Sequence, residues 1–222
     1  MSNILITGGS RGLGAAFSTG VPDKGDTVWL ASQSRPSSLD LEDGITRHWI
    51  ESDLAADSGV EVIRDAIGDV PLDTLIYNAG IWEDNAWGEG YDLADVPADE
   101  TRRIIAVNLT SAILCVQYLI PNLIASGRGR VILIGSSSGL ENVRAPEVAY
   151  GASKFGMRGA AHALREALRE DEVGVTILNP GSIGGRDMPY ADLCQVVRCV
   201  IGLSMQTNIK EIDLGSMQDR HV

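Results

Sequence analysis

The chain has 222 residues, 44% of them hydrophobic, and a formal net charge of -12. That length and apolar content suit one α/β domain with a substantial core, spanning 1–222. The negative charge, with no Lys/Arg cluster to offset it, excludes a nucleic-acid partner. Cys115, Cys194 and Cys199 have neither the even count of a disulfide framework nor CxxC spacing, so reduced, mostly buried thiols and no metal site are expected. The opening MSNILIT has no basic n-region or cleavage pattern. Uninterrupted apolar runs such as Val131 to Ile134 fall far short of the roughly 18 residues of a membrane span, so a cytoplasmic protein without a membrane anchor is expected.

Short apolar runs alternate with helical patterns along the whole chain. Strands are predicted at Asn3–Thr7, Thr27–Ala31, Arg47–Glu51, Thr74–Tyr77, Gly129–Gly135, Gly174–Asn179 and Glu211–Leu214. Several are short and largely apolar rather than alternating, as in a parallel sheet with helices on both faces. Helices are expected from Leu13 onward and at Ser58–Ile67, Asp99–Ile124, Tyr150–Glu170 and Tyr190–Leu203. Gly20 and Pro22 predict that the first of these is short or irregular. The polar stretches Ser32–Asp43 and Ile81–Pro97 are expected to be surface or site-lining loops. The fold class is therefore α/β, a Rossmann-type doubly wound parallel sheet of about seven strands.

Between the first strand and helix lies ITGGSRGLG at 6–14. A strand, a glycine-rich turn and a helix start make an anion site in which free backbone N–H groups and the positive helix end hold a pyrophosphate. The spacing Gly8-x-x-x-Gly12-x-Gly14 is neither GxxxxGK[ST] nor the usual GxGxxG, which sets aside kinase and ATPase readings.

Further motifs follow in order: SDLA at 52–55, YNAG at 77–80, VNLTS at 107–111, GSSSG at 135–139, YGASK at 150–154 and NPGSI at 179–183. Together with TGGSRGLG at 7–14, this series resembles the short-chain dehydrogenase/reductase family almost from end to end. The resemblance implies a single NAD(P)-binding domain. It also implies cofactor contacts from Gly8, Ser10, Arg11, Gly12, Leu13, Gly14, Asp53, Leu54, Asn78, Ala79, Gly80, Pro180, Gly181 and Ile183.

Carbonyl reduction needs a hydride for carbon and a proton for oxygen. Tyr150 and Lys154 lie four apart in a predicted helix and share one face. A lysine ammonium beside a phenol lowers the phenol's pKa from about 10, making Tyr150 the expected proton donor. By resemblance, Lys154 also holds the nicotinamide ribose, a serine hydroxyl binds the substrate oxygen and Asn108 holds a water in the proton path. Alignment on the strand selects Ser136, whereas counting thirteen residues back from Tyr150 selects Ser137. Ser136 is favoured and Ser137 stays open.

No carboxylate follows the second strand, where the chain reads Ser32, Gln33, Ser34, Arg35. Arg11 matches the basic residue of NADP-preferring relatives, so NADP(H) is the expected cofactor, with Ser32 and Arg35 near its 2'-phosphate. After Pro180-Gly181 the family's usual Thr and mobile substrate loop are missing, so an open site and a large or carrier-bound small-molecule substrate are expected. Trp82 and Trp87 are candidates for the pocket wall. The resemblance further implies a homodimer or homotetramer. NADPH-dependent ketone or aldehyde reduction is the leading expectation. The alternatives are reduction of an imine or C=C bond, a redox-neutral dehydration or epimerisation, or a non-catalytic cofactor-binding regulator.

Overall fold

In the computed structural model, residues 1–86, 90–141 and 145–218 are described. Strand β1 (Asn3–Thr7) reads NILIT and is buried from Ile4 to Thr7, as a strand covered on both faces must be. It is joined by β2 (Thr27–Ser32), β3 (Thr46–Glu51), β4 (Thr74–Tyr77), β5 (Arg130–Ile134), β6 (Gly174–Pro180) and β7 (Glu211–Leu214). All pairings are parallel, in the order β3-β2-β1-β4-β5-β6-β7. Parallel neighbours need crossovers, and these are helices.

Side chains of β1 alternate between two apolar layers. Leu5 packs with Ile63, Leu119 and Met157 from α2 (Gly59–Ile67), α4 (Ser111–Ala125) and α5 (Val148–Ala167). Ile4 and Ile6 pack with Phe17 and Val197 from α1 (Gly12–Gly20) and α6 (Tyr190–Gly202). The sheet is thus doubly wound, as expected.

Helix α1 is short but regular, and it ends at Gly20. A Cβ there would sit 2.8 Å from the Cys194 sulfur, so glycine lets α6 close against α1. The helix expected at Asp99–Ile124 is interrupted: α3 (Ala98–Ile105) passes through a π-helical turn at Ala106–Thr110 before α4 begins. Such turns cluster at functional sites because the extra residue re-aims a side chain. The whole run Ala98–Ala125 is, among the described residues, long and apolar enough by length and composition to cross a membrane. That departs from the expectation drawn from uninterrupted apolar runs, which did not count a helix diluted by polar residues. In the fold, Cys115, Val116, Leu119 and Leu123 from this run are buried against the sheet, so it is a core helix.

All three cysteines are free. Cys115 and Cys194 are buried as expected, while Cys199 is exposed. Burial pushes the Cys115 thiol up to about 12.

Candidate active site

Brought together at the C-terminal ends of the strands, the motifs surround a cleft of about 1160 Å³. It opens where the strand order reverses between β1 and β4, the position at which doubly wound sheets take ligands.

The glycine turn is shaped by close backbone approach. Gly8 has φ +68°, a conformation that favours glycine, and its N–H donates to Ala31 O at 2.8 Å. Thr7 Oγ1 accepts from the N–H groups of Asn78 and Ala79, both at 3.1 Å, which ties the turn after β4 to that after β1. A Cβ at Gly14 would lie 2.0 Å from Gly8 O and 2.6 Å from Asn78 Nδ2. Gly14 therefore packs behind the turn and is absent from the cleft wall. Replacing it with Ala should displace the turn and cost about 1–3 kcal/mol by overpacking. A Tm within about 1 °C of the unaltered protein would refute this packing role.

Gly8, Ser10, Arg11, Gly12 and Leu13 line one end of the cleft, with Ser32 across from them and Asp53 and Leu54 after β3. Ser34 Oγ reaches Ser10 Oγ at 3.4 Å, joining the glycine turn to the loop after β2. Arg35 does not reach the wall. Its exposed guanidinium forms paired hydrogen bonds of 2.8 and 2.7 Å with Asp40, five residues on. Among the described residues, the acidic groups on the wall are Asp53 and Glu147, and the basic ones Arg11, Arg103 and Lys154.

At the other end of the cleft stand Ser136, Ser137, Tyr150 and Lys154, with Gly80 next to the lysine; Asn78 and Ala79 adjoin the glycine turn, and Pro180, Gly181 and Ile183 also line the wall. Ser136 and Tyr150 are hydrogen-bonded through their side chains, so the structure brings Ser136 rather than Ser137 to the phenol. Lys154 is buried, and its ammonium donates to Ile134 O at 3.0 Å and lies over the Tyr150 ring, 5.5 Å from its centroid. The expected lowering of the phenol does not appear. Burial pushes the Tyr150 phenol up, Ser136 pulls it down, and the carboxylates of Glu147 and Glu83 push it further up. Desolvation prevails because the ammonium lies over the ring and bonds a carbonyl.

The same burial lowers Lys154 from 10.5 to about 8. Between those values an unfolded chain binds a proton that the folded chain has released, so stability rises with pH there. The full effect is about 3 kcal/mol. The buried Cys115 thiol, raised to about 12, acts in the opposite sense above its ordinary value of 9.0. Urea unfolding from pH 8 to 10 should therefore show a slope of stability against pH that is more positive than in Lys154→Met; equal slopes would refute the lowered lysine.

Asn108 is fully buried behind the cleft, aimed inward by the π turn. Its amide accepts from Ile81 N at 2.8 Å and donates to Ile81 O at 2.8 Å and Ser153 Oγ at 3.0 Å. Both amide donors are thus spent on protein, and Asn108 buttresses the loop after β4 against α5.

Beyond Gly181 the chain makes a tight turn rather than a long lid. Gly184 N donates to Met188 O at 2.9 Å and Met188 N to Ser182 O at 3.3 Å. Tyr190, which opens α6, lines the cleft. Trp82 stands edge-on to Tyr150, with ring centroids 6.4 Å apart, while Trp87 lies outside the described residues. Glu83, Glu147, Arg103 and Tyr190 were not read from the sequence. Only the long polar loop after β4 signalled that something there would reach the site.

The short chain dehydrogenase family model matches residues 2–189. The chain belongs to the short-chain dehydrogenase family. It is 29% identical over 82% of its length to the rhamnolipids biosynthesis 3-oxoacyl-(acyl-carrier-protein) reductase of Pseudomonas aeruginosa, of which the match covers 73%. A 3-dehydrosphinganine reductase of Arabidopsis thaliana is 30% identical over 80% of this chain, although the match spans only 54% of that longer protein. Among solved structures, a metagenomic short-chain oxidoreductase in complex with NADP superposes with a TM-score of 0.82 at 28% identity, covering 96% of each chain. As a short-chain dehydrogenase, the protein is an oxidoreductase.

Proposed function

We propose that this short-chain dehydrogenase is an NADPH-dependent reductase of ketones or aldehydes, with Tyr150 as proton donor. The observation that carries the reading is the Tyr150 phenol hydrogen-bonded to Ser136, with Lys154 over its ring, in a cleft whose far end is the glycine turn.

The residues fit a dinucleotide phosphate. Gly8 and Gly12 hold left-handed backbone at the turn, and nothing but the Tyr190 hydroxyl, at 3.8 Å, lies within 4 Å of where a Gly12 Cβ would stand. The Arg11 guanidinium and the Ser10, Ser32 and Ser34 positions, with no carboxylate after β2, favour a 2'-phosphate over a free hydroxyl. When bound, the reduced nicotinamide would supply hydride. Ser136 would orient the substrate oxygen and Tyr150 would donate its proton there as negative charge builds. A phenol raised by burial stays protonated at neutral pH, the form a donor needs. Lys154 would bind the ribose and keep a positive charge over the Tyr150 ring.

The ketone-reducing names of the two curated relatives support carbonyl reduction, and the first supports a carrier-bound acyl substrate. The short turn at 182–188 leaves room for such a substrate. Exposed Ile113 and Ile124 on α4 and Phe155 on α5 support a homodimer or homotetramer, and the free cysteines support a cytoplasmic location. The test is NADPH oxidation by the purified chain with β-keto esters and aldehydes as probes. Turnover with NADPH in preference to NADH is expected; no turnover of any carbonyl with either cofactor would overturn the assignment.

A further inference from the structure

The loop after β4 is polar, yet Glu83 within it is completely buried. Its Oε1 accepts from the N–H groups of Ala149 at 2.9 Å and Tyr150 at 3.3 Å. These lie in the first turn of α5, whose orphan N–H groups require a partner. The helix does not cap itself, because Glu147 at its N-cap makes no side-chain cap bond. The next N–H, of Val148, donates to Tyr91 Oη at 3.2 Å, from the same loop. An anchor two residues before Glu83 fixes the loop, since Asn108 binds both backbone groups of Ile81. The other carboxylate oxygen, Oε2, is buried and has no hydrogen-bond partner among the described residues.

We propose that Glu83 is a positioning residue for Tyr150: its buried carboxylate caps the helix that carries the tyrosine and so sets where the phenol stands in the cleft. The proposal rests on the proton-donor reading of Tyr150. A carboxylate at a helix N-terminus is stabilised by the helix dipole, and here the capped backbone N–H belongs to the reacting residue itself. Around the phenol stand Ser136 at the end of β5, Lys154 in α5, Glu147 at its start and Glu83 from the loop, with Arg103 on the same cleft wall. Glu83 thus fixes the tyrosine backbone through a hydrogen bond and opposes the phenolate through its charge.

Two substitutions separate these effects. Glu83→Ala removes the acceptor, and kcat for NADPH-dependent β-keto ester reduction should fall on the order of 100-fold, with KM for NADPH changed by less than about threefold. Glu83→Gln keeps an acceptor oxygen but loses the charge. Its kcat should stay within about threefold of the unaltered enzyme, while the alkaline limb of the pH profile moves to lower pH. The same downward movement should appear in the ultraviolet titration of the Tyr150 phenol, isolated by subtracting Tyr150→Phe, which needs no turnover. A merely structural glutamate would lower Tm in both variants and leave the limb and the titration where they were. Unchanged kcat in Glu83→Ala, or an unmoved phenol titration in Glu83→Gln, overturns the proposal. Full activity in Tyr150→Phe would instead overturn the proton-donor reading, leaving the titration to judge Glu83.

Discussion

Tyr150→Phe should lower kcat for carbonyl reduction by about 10²–10⁴-fold, the usual worth of a positioned general acid. The substitution deletes one oxygen from a side chain held in the cleft beside Ser136 and under the Lys154 ammonium, so the walls stay where they are. Losses in kcat and kcat/KM should therefore match, because the missing proton is needed only as negative charge builds on the substrate oxygen. Binding of NADPH, followed by fluorescence, should change by less than about threefold, since Tyr150 stands at the far end of the cleft from Arg11. Steady-state kinetics decide between reactions as well. Hydride delivery to an already cationic iminium needs no proton donor and would survive the substitution. Retained carbonyl reduction would remove Tyr150 from the mechanism.

For Arg11, the affected quantity is the choice of cofactor. Arg11→Ala should weaken NADPH binding by about tenfold or more while leaving NADH binding nearly unchanged, since a charge-assisted hydrogen bond is worth about 1.5–3 kcal/mol. The lower end is expected because Arg11 is exposed and its charge is screened by salt. Its side chain lines the cleft at the N-cap of α1, facing an end of β2 that offers hydroxyls and no carboxylate. Thermal unfolding with saturating ligand reads the change directly. Tenfold weaker binding removes about 1.4 kcal/mol of ligand stabilisation, or roughly 3–6 °C in Tm for a chain of this size. Equal losses for both cofactors would mean that Arg11 serves the shared pyrophosphate and that the 2'-phosphate preference lies elsewhere.

Much of the architecture was legible in the residues because it depends on local rules. Ile4-Leu5-Ile6 and Leu75-Ile76-Tyr77 run apolar without alternation, as strands covered on both faces require. The spacing of Gly8, Gly12 and Gly14 marks a tight turn into a helix, and Tyr150 and Lys154, four apart, share a helical face. These features need nothing beyond neighbouring residues, so a single sequence carries them.

Tertiary structure alone decided the rest. Arg35 sits where a phosphate contact was expected, and the fold pairs its exposed guanidinium with a carboxylate five residues away. Asn108 follows the expected motif, and only the fold shows that its amide, within a π turn, ties the Ile81 backbone to Ser153 of α5. Lys154 is on the right face of α5, but burial of both partners overrides its charge and raises the phenol instead of lowering it. Glu83 lies in a polar loop that any local pattern places in water, and it is buried because the first turn of α5, 66 residues further along the chain, needs an acceptor. Helix, strand and turn follow from short-range sterics and hydrophobic period. Protonation and hydrogen-bond partnership follow from which distant groups share a desolvated volume, and that is settled only when the sheet is wound.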